Sequence, residues 1–284
     1  MLREQGAVLT VRAASHRAAV LGFPVSHSLS PTLHQAAYAA LGLHDWSYGA
    51  VEVQAPDLAR HVAGLDATWR GLSLTMPLKE VAFDVADEID VLAAETGAIN
   101  TLVRGGGWTG SNTDVHGILA ACADAGVGSV TSALVIGSGA TARSATAALR
   151  RLSARQVTFM VRGAARTATL AQAVDAGLEV AETPLGVWPD SVDLVISTVP
   201  PAATAFFAAD LPSGGRALLE VTYSEGLTPL MSAAQASGYA VVPGTEMLLH
   251  QAAEQVRLMT GHPAPLAAMR TALTAATEKA AQPT

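Results

Sequence analysis

The stretch that decides the fold is Ala133-Leu134-Val135-Ile136-Gly137-Ser138-Gly139-Ala140-Thr141-Ala142-Arg143. Its apolar run predicts a buried strand, and the Ala-rich residues after the glycines predict a helix to about Leu152. The first glycine permits a tight turn, the second lets the backbone approach a pyrophosphate, and the small residue at 142 lets the helix pack on the strand. Tight turns are also glycine-rich for purely structural reasons, so the pattern alone is weak evidence for a dinucleotide site.

The next predicted strand, Val157–Val161, strengthens this indication. A site that prefers NAD places an acidic residue at the end of that strand, where it holds the ribose 2′-hydroxyl. Here Arg162 follows the strand and Arg166 lies close behind it. Two guanidinium groups can clamp a 2′-phosphate, whereas the alternative is a pair of solvated arginines. The sequence therefore favours NADP over NAD.

Short apolar runs alternate with Ala-rich helical stretches on both sides of this unit. The alternation predicts an α/β fold with two domains and mostly parallel sheets, joined between Asp114 and Ser132. The other predicted strands are Ala18–Phe23, Trp46–Val51, Gly71–Leu74, Leu194–Ser197, Ala217–Val221 and Tyr239–Val242, with a hairpin of Ile99–Arg104 and Trp108–Ser111. The other predicted helices are Pro31–Leu41, Pro56–Leu65, Ala164–Val174, Pro229–Ser237, Glu246–Met259 and Pro265–Lys279.

Composition excludes several classes of function. Half of the 284 residues are hydrophobic and 14% are charged, as in a globular protein, and the net charge of −7 argues against nucleic acid as a partner. The single cysteine, Cys122, excludes an internal disulfide and a multi-cysteine metal site, and it fits a reducing cytoplasm. No apolar stretch is long enough to predict a membrane helix. We interpret residues 1–17 as an N-terminal extension.

Lysine is unusually scarce in this chain. There are two lysines and fifteen arginines, and Lys79 lies beside an apolar run, in Leu72-Ser73-Leu74-Thr75-Met76-Pro77-Leu78-Lys79-Glu80. Arginine supplies charge but effectively never releases its proton, whereas a lysine can. Lys79 is therefore a candidate proton donor. Codon preference together with an ordinary solvated lysine explains the count equally well.

The loop between the first predicted strand and helix has the sequence Gly22-Phe23-Pro24-Val25-Ser26-His27-Ser28-Leu29-Ser30-Pro31. We expect Ser30 to cap the helix and Pro31 to occupy its first position. Hydroxyl groups and free N–H groups would then converge on one point, which suits a carboxylate. His27 and His34 lack a neighbouring carboxylate cluster, so we expect no metal site.

These stretches together resemble the shikimate dehydrogenase family, in order, from about Ala19 to Gly261. The residues that carry the resemblance are the loop from Gly22 to His34 and four further motifs: Leu74-Thr75-Met76-Pro77-Leu78-Lys79-Glu80, Thr96-Gly97-Ala98-Ile99-Asn100-Thr101, Gly110-Ser111-Asn112-Thr113-Asp114 and Met247-Leu248-Leu249-His250-Gln251. The resemblance implies NADPH-linked, reversible reduction of 3-dehydroshikimate to shikimate in chorismate and aromatic amino-acid biosynthesis.

The resemblance also implies the domains and the role of each matched position. A substrate domain would comprise residues 18–114 and about 250–284, and a Rossmann-type NADP-binding domain residues 115–249, with the C-terminal helices returning to the first domain. Lys79, paired with Asp114, would donate the proton. The residues expected to bind substrate are Ser28, Ser30, Thr75, Asn100, Asp114, Tyr223 and Gln251. Those expected to bind NADP(H) are Gly137, Ser138, Gly139, Ala140, Thr141, Ala142, Arg162, Arg166, Thr198, Val199, Gly244 and Met247.

Several positions depart from the family pattern and keep other functions open. The family commonly has glycine at the positions of Val115, Ala140 and Ala252, and polar residues at those of Val161 and Gly163. It usually has aspartate at the position of Glu220, and proline is common at that of Glu225. One alternative is a quinate or aminoshikimate dehydrogenase using NAD or NADP. Another is a non-catalytic NADP-sensing Rossmann protein. The sequence also leaves a homodimer open.

Overall fold

The computed structural model describes residues 15–223 and 226–280, which contain two six-stranded sheets. The strands of the first sheet are β1 (His16–Gly22), β2 (Trp46–Glu52), β3 (Trp69–Leu74), β4 (Glu88–Ile89), β5 (Thr101–Arg104) and β6 (Trp108–Ser111). Their order is β2-β1-β3-β5-β6-β4. β1 pairs in parallel with β2 and β3, and β5 and β6 form the predicted antiparallel hairpin.

Strand β1 begins earlier than predicted. His16 and Arg17 already pair with Trp46 and Ser47 of β2, so they belong to the sheet and not to an N-terminal extension. The prediction that residues 1–17 form an N-terminal extension is therefore wrong for His16 and Arg17. Residues 1–14 of it lie outside the described residues.

Helices of the first half connect these strands. They are α1 (Ser30–Ala40), α2 (Leu58–Ala63) and α3 (Val91–Thr96), and α4 (Asp114–Asp124) then leads to the second sheet. The helix predicted over Pro56–Leu65 is shorter, because a 3-10 turn at Ala55–Asp57 precedes α2. After Pro77 the chain forms a turn and a short 3-10 helix, Val81–Asp84.

The second sheet is entirely parallel, as in a Rossmann-type fold. Its strands are β7 (Ser132–Ile136), β8 (Gln156–Val161), β9 (Glu179–Pro184), β10 (Leu194–Ser197), β11 (Ala217–Glu220) and β12 (Ala240–Pro243), in the order β12-β11-β10-β7-β8-β9. Its helices are α5 (Ala140–Arg151), α6 (Thr167–Asp175), α7 (Pro201–Thr204) and α8 (Pro229–Ala236). The strand order changes direction beside β7, which places the ligand crevice of such a sheet at the carboxyl ends of β7 and β10. The predicted α/β fold class is confirmed.

Two C-terminal helices, α9 (Gly244–Thr260) and α10 (Leu266–Ala280), return to the first sheet. α9 contacts α4, β3 and β5, and α10 packs along α1. Buried apolar side chains hold these helices together, among them Leu33, Ala37, Leu249, Val256 and Met269. α9 is one continuous helix, so the boundary predicted near residue 250 falls inside it. Among the described residues, no helix is long and apolar enough to cross a membrane.

Candidate active site

The loop before α1 brings two serine side chains to one place. Ser28 Oγ accepts a hydrogen bond from the Ser30 N–H at 3.3 Å. The predicted capping role of Ser30 is wrong, because Ser30 is already the first helical residue and Leu29, which has no side-chain oxygen, occupies the cap position. The side chain at the cap position makes no bond to the start of α1, and Ser28 accepts from only one of its N–H groups, so this helix end still suits an anion.

Lys79 and Asp114 form a shielded ion pair. Lys79 Nζ donates to Asp114 Oδ2 at 2.5 Å, and the two side chains are 14% and 5% exposed. Lys79 lies in the turn that follows β3, and its carbonyl accepts from the Ile99 N–H at 2.8 Å. Asp114 is the first residue of α4, where the helix dipole favours a carboxylate. The sequence prediction that these two residues are partners agrees with this geometry.

Asn100 fixes the second oxygen of the Asp114 carboxylate. Asn100 Nδ2 donates to Asp114 Oδ1 at 2.8 Å, and Asn100 Oδ1 accepts from the Thr113 N–H at 2.8 Å. Gln251 Oε1 lies 3.4 Å from both Asn100 Nδ2 and Thr113 Oγ1. Asn100, Asp114 and Gln251 therefore meet in one hydrogen-bonded group, although they come from three distant segments.

Gly117 explains how α9 brings Gln251 so close to α4. A Cβ atom at Gly117 would lie 2.7 Å from the Met247 carbonyl oxygen and 2.9 Å from Gln251 Cβ. Such distances are well below van der Waals contact, so only glycine permits this approach of the two helices.

These residues surround one cleft between the two sheets, with a cavity of about 400 Å³. All the residues predicted for catalysis or substrate binding line it, namely Ser28, Ser30, Thr75, Lys79, Asn100, Asp114, Tyr223 and Gln251. Four of the predicted cofactor residues line the same cavity: Thr141, Thr198, Gly244 and Met247. The cleft thus joins the predicted substrate side to the nucleotide side, the expected place for a reaction between two bound molecules.

Tyr223 lies beside the serine loop, as predicted. Burial raises the pKa of Tyr223 above its usual value, and hydrogen bonds with the Leu29 backbone and the Ser28 side chain oppose that shift. Glu220, one of the departures from the family pattern, is buried at the end of β11 and accepts a hydrogen bond from Thr228. Glu225, another departure, lies outside the described residues.

The sequence prediction missed a buried polar network at the wall of the cavity, to which Ser73 and Gln255 belong. Gln255 Oε1 lies 2.8 Å from Ser73 Oγ and 3.3 Å from His34 Nε2, and the His34 ring stacks on Tyr48. Gln255 Nε2 donates to Thr101 Oγ1 at 3.0 Å. Burial lowers the pKa of His34 to about 3, so the ring is neutral. One helical turn separates Gln255 from Gln251, and this spacing is the signal that could have revealed it.

The glycine turn of the second sheet fits a dinucleotide. Gly137 has φ of 105°, and a Cβ there would collide with Thr198 Oγ1 at 2.6 Å and Val199 Cγ1 at 2.9 Å. This close packing brings the predicted residues Thr198 and Val199 against the turn. A Cβ built on Gly139 meets no atom of the described chain within 4 Å beyond its own neighbours, so the space above that backbone is open. The open cradle and the uncapped start of α5 fit a pyrophosphate.

The other predicted cofactor residues lie around this turn. Ala140 begins α5, and Ala142 is fully buried against the sheet, as a small residue at that position should be. Ser138 Oγ accepts from the Arg166 N–H at 3.2 Å. Arg162 and Arg166 are both exposed after the end of β8, and Arg166 Nη1 lies 3.8 Å from Glu80 Oε1.

Two groups of note lie outside the cleft. Cys122 is fully buried in the core, and burial raises the pKa of its thiol to about 11. Asp124, Glu246 and His250 form a group of potential metal ligands, but Arg270 bonds to both carboxylates and His250 Nε2 lies 2.9 Å from Asp124 Oδ2. These charges are paired with one another and join α4, α9 and α10. That the chain holds no metal remains a prediction.

A Rossmann-type sheet, an open glycine cradle and a shielded lysine–aspartate pair in the adjoining cleft define a two-domain, dinucleotide-dependent oxidoreductase. Comparison with known proteins narrows this class. Residues 20–102 match the shikimate dehydrogenase substrate binding domain, and residues 244–274 match the shikimate 5′-dehydrogenase C-terminal domain. The chain is 36% identical to the shikimate dehydrogenase (NADP(+)) of Citrifermentans bemidjiense, over 94% of this chain and 97% of that protein.

Solved structures agree with the sequence relatives. The crystal structure of Mycobacterium tuberculosis shikimate dehydrogenase is similar with a TM-score of 0.82 and 39% identity, covering 92% of this chain and 99% of that one. The Thermus thermophilus shikimate 5-dehydrogenase, solved in complex with NADP(H) and shikimate, gives a TM-score of 0.80 at 32% identity, with the same coverage of 92% and 99%. The chain belongs to the shikimate dehydrogenase family.

Proposed function

We propose that this enzyme catalyses the reversible NADPH-linked reduction of 3-dehydroshikimate to shikimate. The observation that carries the proposal is the Lys79–Asp114 pair, which lies in a cleft lined also by Thr141 and Thr198 of the nucleotide domain. A ketone reductase needs a proton donor beside the place where the cofactor delivers hydride, and this cleft provides one.

Lys79 performs the proton transfer in this proposal. When bound, NADPH supplies a hydride to the ketone carbon, and the electron pair of the C=O π bond moves to oxygen. The ammonium of Lys79 stabilises the negative charge on that oxygen and then gives it a proton from Nζ. The Asp114 carboxylate, held by Asn100, orients the ammonium through its bond to Oδ2. In the oxidative direction, Nζ takes the proton back.

The remaining polar residues of the cleft bind and orient the substrate. Ser28 and Ser30, together with the start of α1 and Tyr223, suit the substrate carboxylate because they offer hydroxyl and N–H donors at a positive helix end. Thr75, Asn100 and Gln251 line the same cavity and suit the ring hydroxyls. Anchoring the substrate at both ends would fix the ketone against Lys79, which is a large part of catalysis.

The nucleotide side suits NADP(H). The turn from Gly137 to Ala142 would hold the pyrophosphate, and the exposed Arg162 and Arg166 would bind the 2′-phosphate through charge-assisted hydrogen bonds. The nicotinamide half would be held by Thr198, Gly244 and Met247, which line the cleft, and by Val199, which packs against the glycine turn. The division into domains at residue 114 and about residue 250 belongs to the same proposal. Because residue 250 lies inside α9, we place the second boundary at the start of that helix. A reducing cytoplasm and a homodimer remain predictions.

Steady-state kinetics with shikimate and quinate, each with NADP and NAD, test the proposal. We expect the highest kcat/KM with shikimate and NADP. Higher kcat/KM with quinate or with NAD would favour the quinate or aminoshikimate alternatives. Tight NADP binding without turnover of any of these substrates would favour the non-catalytic NADP sensor.

A further inference from the structure

Helix α5 of the second domain carries a buried arginine, Arg143, whose side chain bonds to segments of the first domain. Arg143 is 4% exposed. Its Nε donates to the Thr96 carbonyl at 2.5 Å, and its Nη2 donates to the Gly97 carbonyl at 2.9 Å and to Glu80 Oε1 at 2.7 Å. All three acceptors belong to the segments around the first sheet. None of these bonds was expected from the sequence.

Three hydrogen bonds and the Glu80 carboxylate compensate the buried charge of Arg143 and hold its side chain in one position. Burying a guanidinium is costly unless charges and hydrogen bonds compensate for its lost hydration. Thr96 and Gly97 lie at the carboxyl end of α3, where carbonyls lack partners within the helix and the dipole is negative. Glu80 supplies the balancing carboxylate. Only one placement of the planar guanidinium meets all three acceptors at once.

The neighbouring residue, Ser144, makes a second connection. Asn112 Nδ2 lies 3.0 Å from Ser144 Oγ and 2.9 Å from Thr96 Oγ1, while Asn112 Oδ1 accepts from the Asp114 N–H at 3.0 Å. Two consecutive residues of α5 therefore contact the segments that carry the catalytic group: Glu80 follows Lys79, Gly97 lies shortly before Asn100, and Asn112 lies two residues before Asp114.

We propose that Arg143 is a positioning residue that fixes the start of α5, and with it the bound cofactor, relative to Lys79 and Asp114. The inference rests on the proposed function for its catalytic consequence. The Arg143 N–H donates to the Gly139 carbonyl at 3.2 Å, so the same residue is part of the first turn behind the pyrophosphate cradle. Hydride transfer depends steeply on alignment, and a displacement of about 1 Å costs on the order of 100-fold in rate.

Arg143→Lys separates geometry from charge, because lysine keeps the cation but cannot reach three acceptors with one planar group. Arg150→Lys is the matched control, since Arg150 is exposed on the same helix. In Arg143→Lys we expect kcat to fall at least about tenfold, while KM for shikimate and the Kd of NADP stay within about threefold. The deuterium isotope effect on kcat, measured with shikimate deuterated at the carbon that loses hydride, should rise because hydride transfer becomes rate-limiting.

Two results with Arg143→Lys would overturn the positioning role. One is a folded Arg143→Lys enzyme with normal kcat and isotope effect. Another is a rise in the Kd of NADP as large as the fall in kcat, which would make Arg143 a phosphate ligand. If Arg143→Lys does not fold, Glu80→Gln replaces it, because the Glu80 side chain is half exposed and its substitution disturbs the core less. A fall in kcat, smaller than the one expected for Arg143→Lys, together with a raised isotope effect would support the proposal. Unchanged values of both would contradict it.

Hydrogen exchange in the free enzyme gives a readout that does not depend on activity. The amides of residues 96–100 should exchange at least about tenfold faster in Arg143→Lys than in Arg150→Lys, because the tie to α5 is lost. Unchanged exchange would overturn the connection itself. If the wild type does not oxidise shikimate but exchange still differs between these two variants, the proposed function is overturned and the connection remains supported.

Discussion

Lys79 Nζ lies 2.5 Å from Asp114 Oδ2, although the two residues are 35 positions apart in the sequence. Both side chains are largely shielded from solvent, at 14% and 5% exposure, so water screens their attraction only weakly. Because Asn100 holds the other carboxylate oxygen, Asp114 is fixed before the substrate binds. Lys79 is thus a preorganised cation, oriented by Asp114, in a cleft that the two domains share.

Asp114→Asn should impair catalysis more than binding. The amide keeps the shape of the side chain but removes the charge that orients Lys79, so we expect kcat to fall by about 10- to 100-fold. KM for shikimate should also rise, because Asp114 is expected to contact a ring hydroxyl. That rise should be smaller than the fall in kcat. Steady-state kinetics measure both values. Asp175→Asn, an exposed carboxylate on α6, is the control, and equal losses in both variants would contradict a specific role for Asp114.

Arg162→Ala and Arg166→Ala should weaken binding of NADP without changing that of NAD. Each charge-assisted bond to a phosphate contributes about 1.5–3 kcal/mol, so each variant should raise the Kd of NADP by about 10- to 100-fold. Arg155 is exposed just before the start of β8, the strand that Arg162 and Arg166 follow. Arg155→Ala should therefore leave the Kd of NADP unchanged. Titration of protein fluorescence with each nucleotide measures these affinities. If both nucleotides lost affinity equally, the arginines would not read the 2′-phosphate.

Gly117→Ala should force α4 and α9 apart. The new Cβ would meet the Met247 carbonyl oxygen at 2.7 Å and Gln251 Cβ at 2.9 Å. We expect a loss of about 1–3 kcal/mol in the free energy of unfolding and a higher KM for shikimate, because Gln251 must move. Gly128→Ala, where a Cβ meets nothing within 4 Å, is the control. Urea unfolding gives the free energies, and similar values for the two variants would contradict this packing.

His34 should make the protein less stable as the pH falls. Burial lowers its pKa to about 3 in the folded state, while the unfolded chain takes up a proton below its ordinary pKa of 6.5. The unfolded state therefore binds more protons between these values, and stability decreases as pH falls through that window. At pH 5 the loss is about 2 kcal/mol relative to neutral pH.

Urea unfolding at neutral pH and at pH 5 measures this effect, as the difference between wild type and His34→Gln. The variant should be less stable overall but should lose less stability on acidification. His44→Gln, an exposed histidine, should retain the wild-type pH dependence. An unchanged pH dependence in His34→Gln would show that another group is responsible.

The sequence predicted most strands of both sheets but missed two, β9 and β4. The strands around β7 were predicted to within about a residue because their apolar runs are continuous. Strand β9, Glu179–Pro184, was missed because it is an edge strand in which half of the residues are polar and none is buried. Strand β4 has only two residues, too few for any periodic pattern.

The site was predicted from motifs, and its supporting contacts were not. Lys79, Asn100 and Asp114 each lie in a recognisable stretch, so their meeting could be anticipated from the resemblance. The bonds from Arg143 to Thr96 and Glu80 join residues 47 and 63 positions apart and follow no spacing rule. The predicted cap at Ser30 failed because the backbone at Leu29 is already helical, at φ −83° and ψ −3°.

Lys79 is the proposed proton donor in the reduction of the ketone. The most direct test is NADP-dependent oxidation of shikimate by the wild type and by Lys79→Arg, followed through the absorbance of NADPH. Arginine keeps the positive charge but does not release its proton. We predict turnover by the wild type and a fall in kcat of about 100-fold or more in Lys79→Arg, with the affinity for shikimate kept within about tenfold. Near-normal turnover by Lys79→Arg would contradict the account.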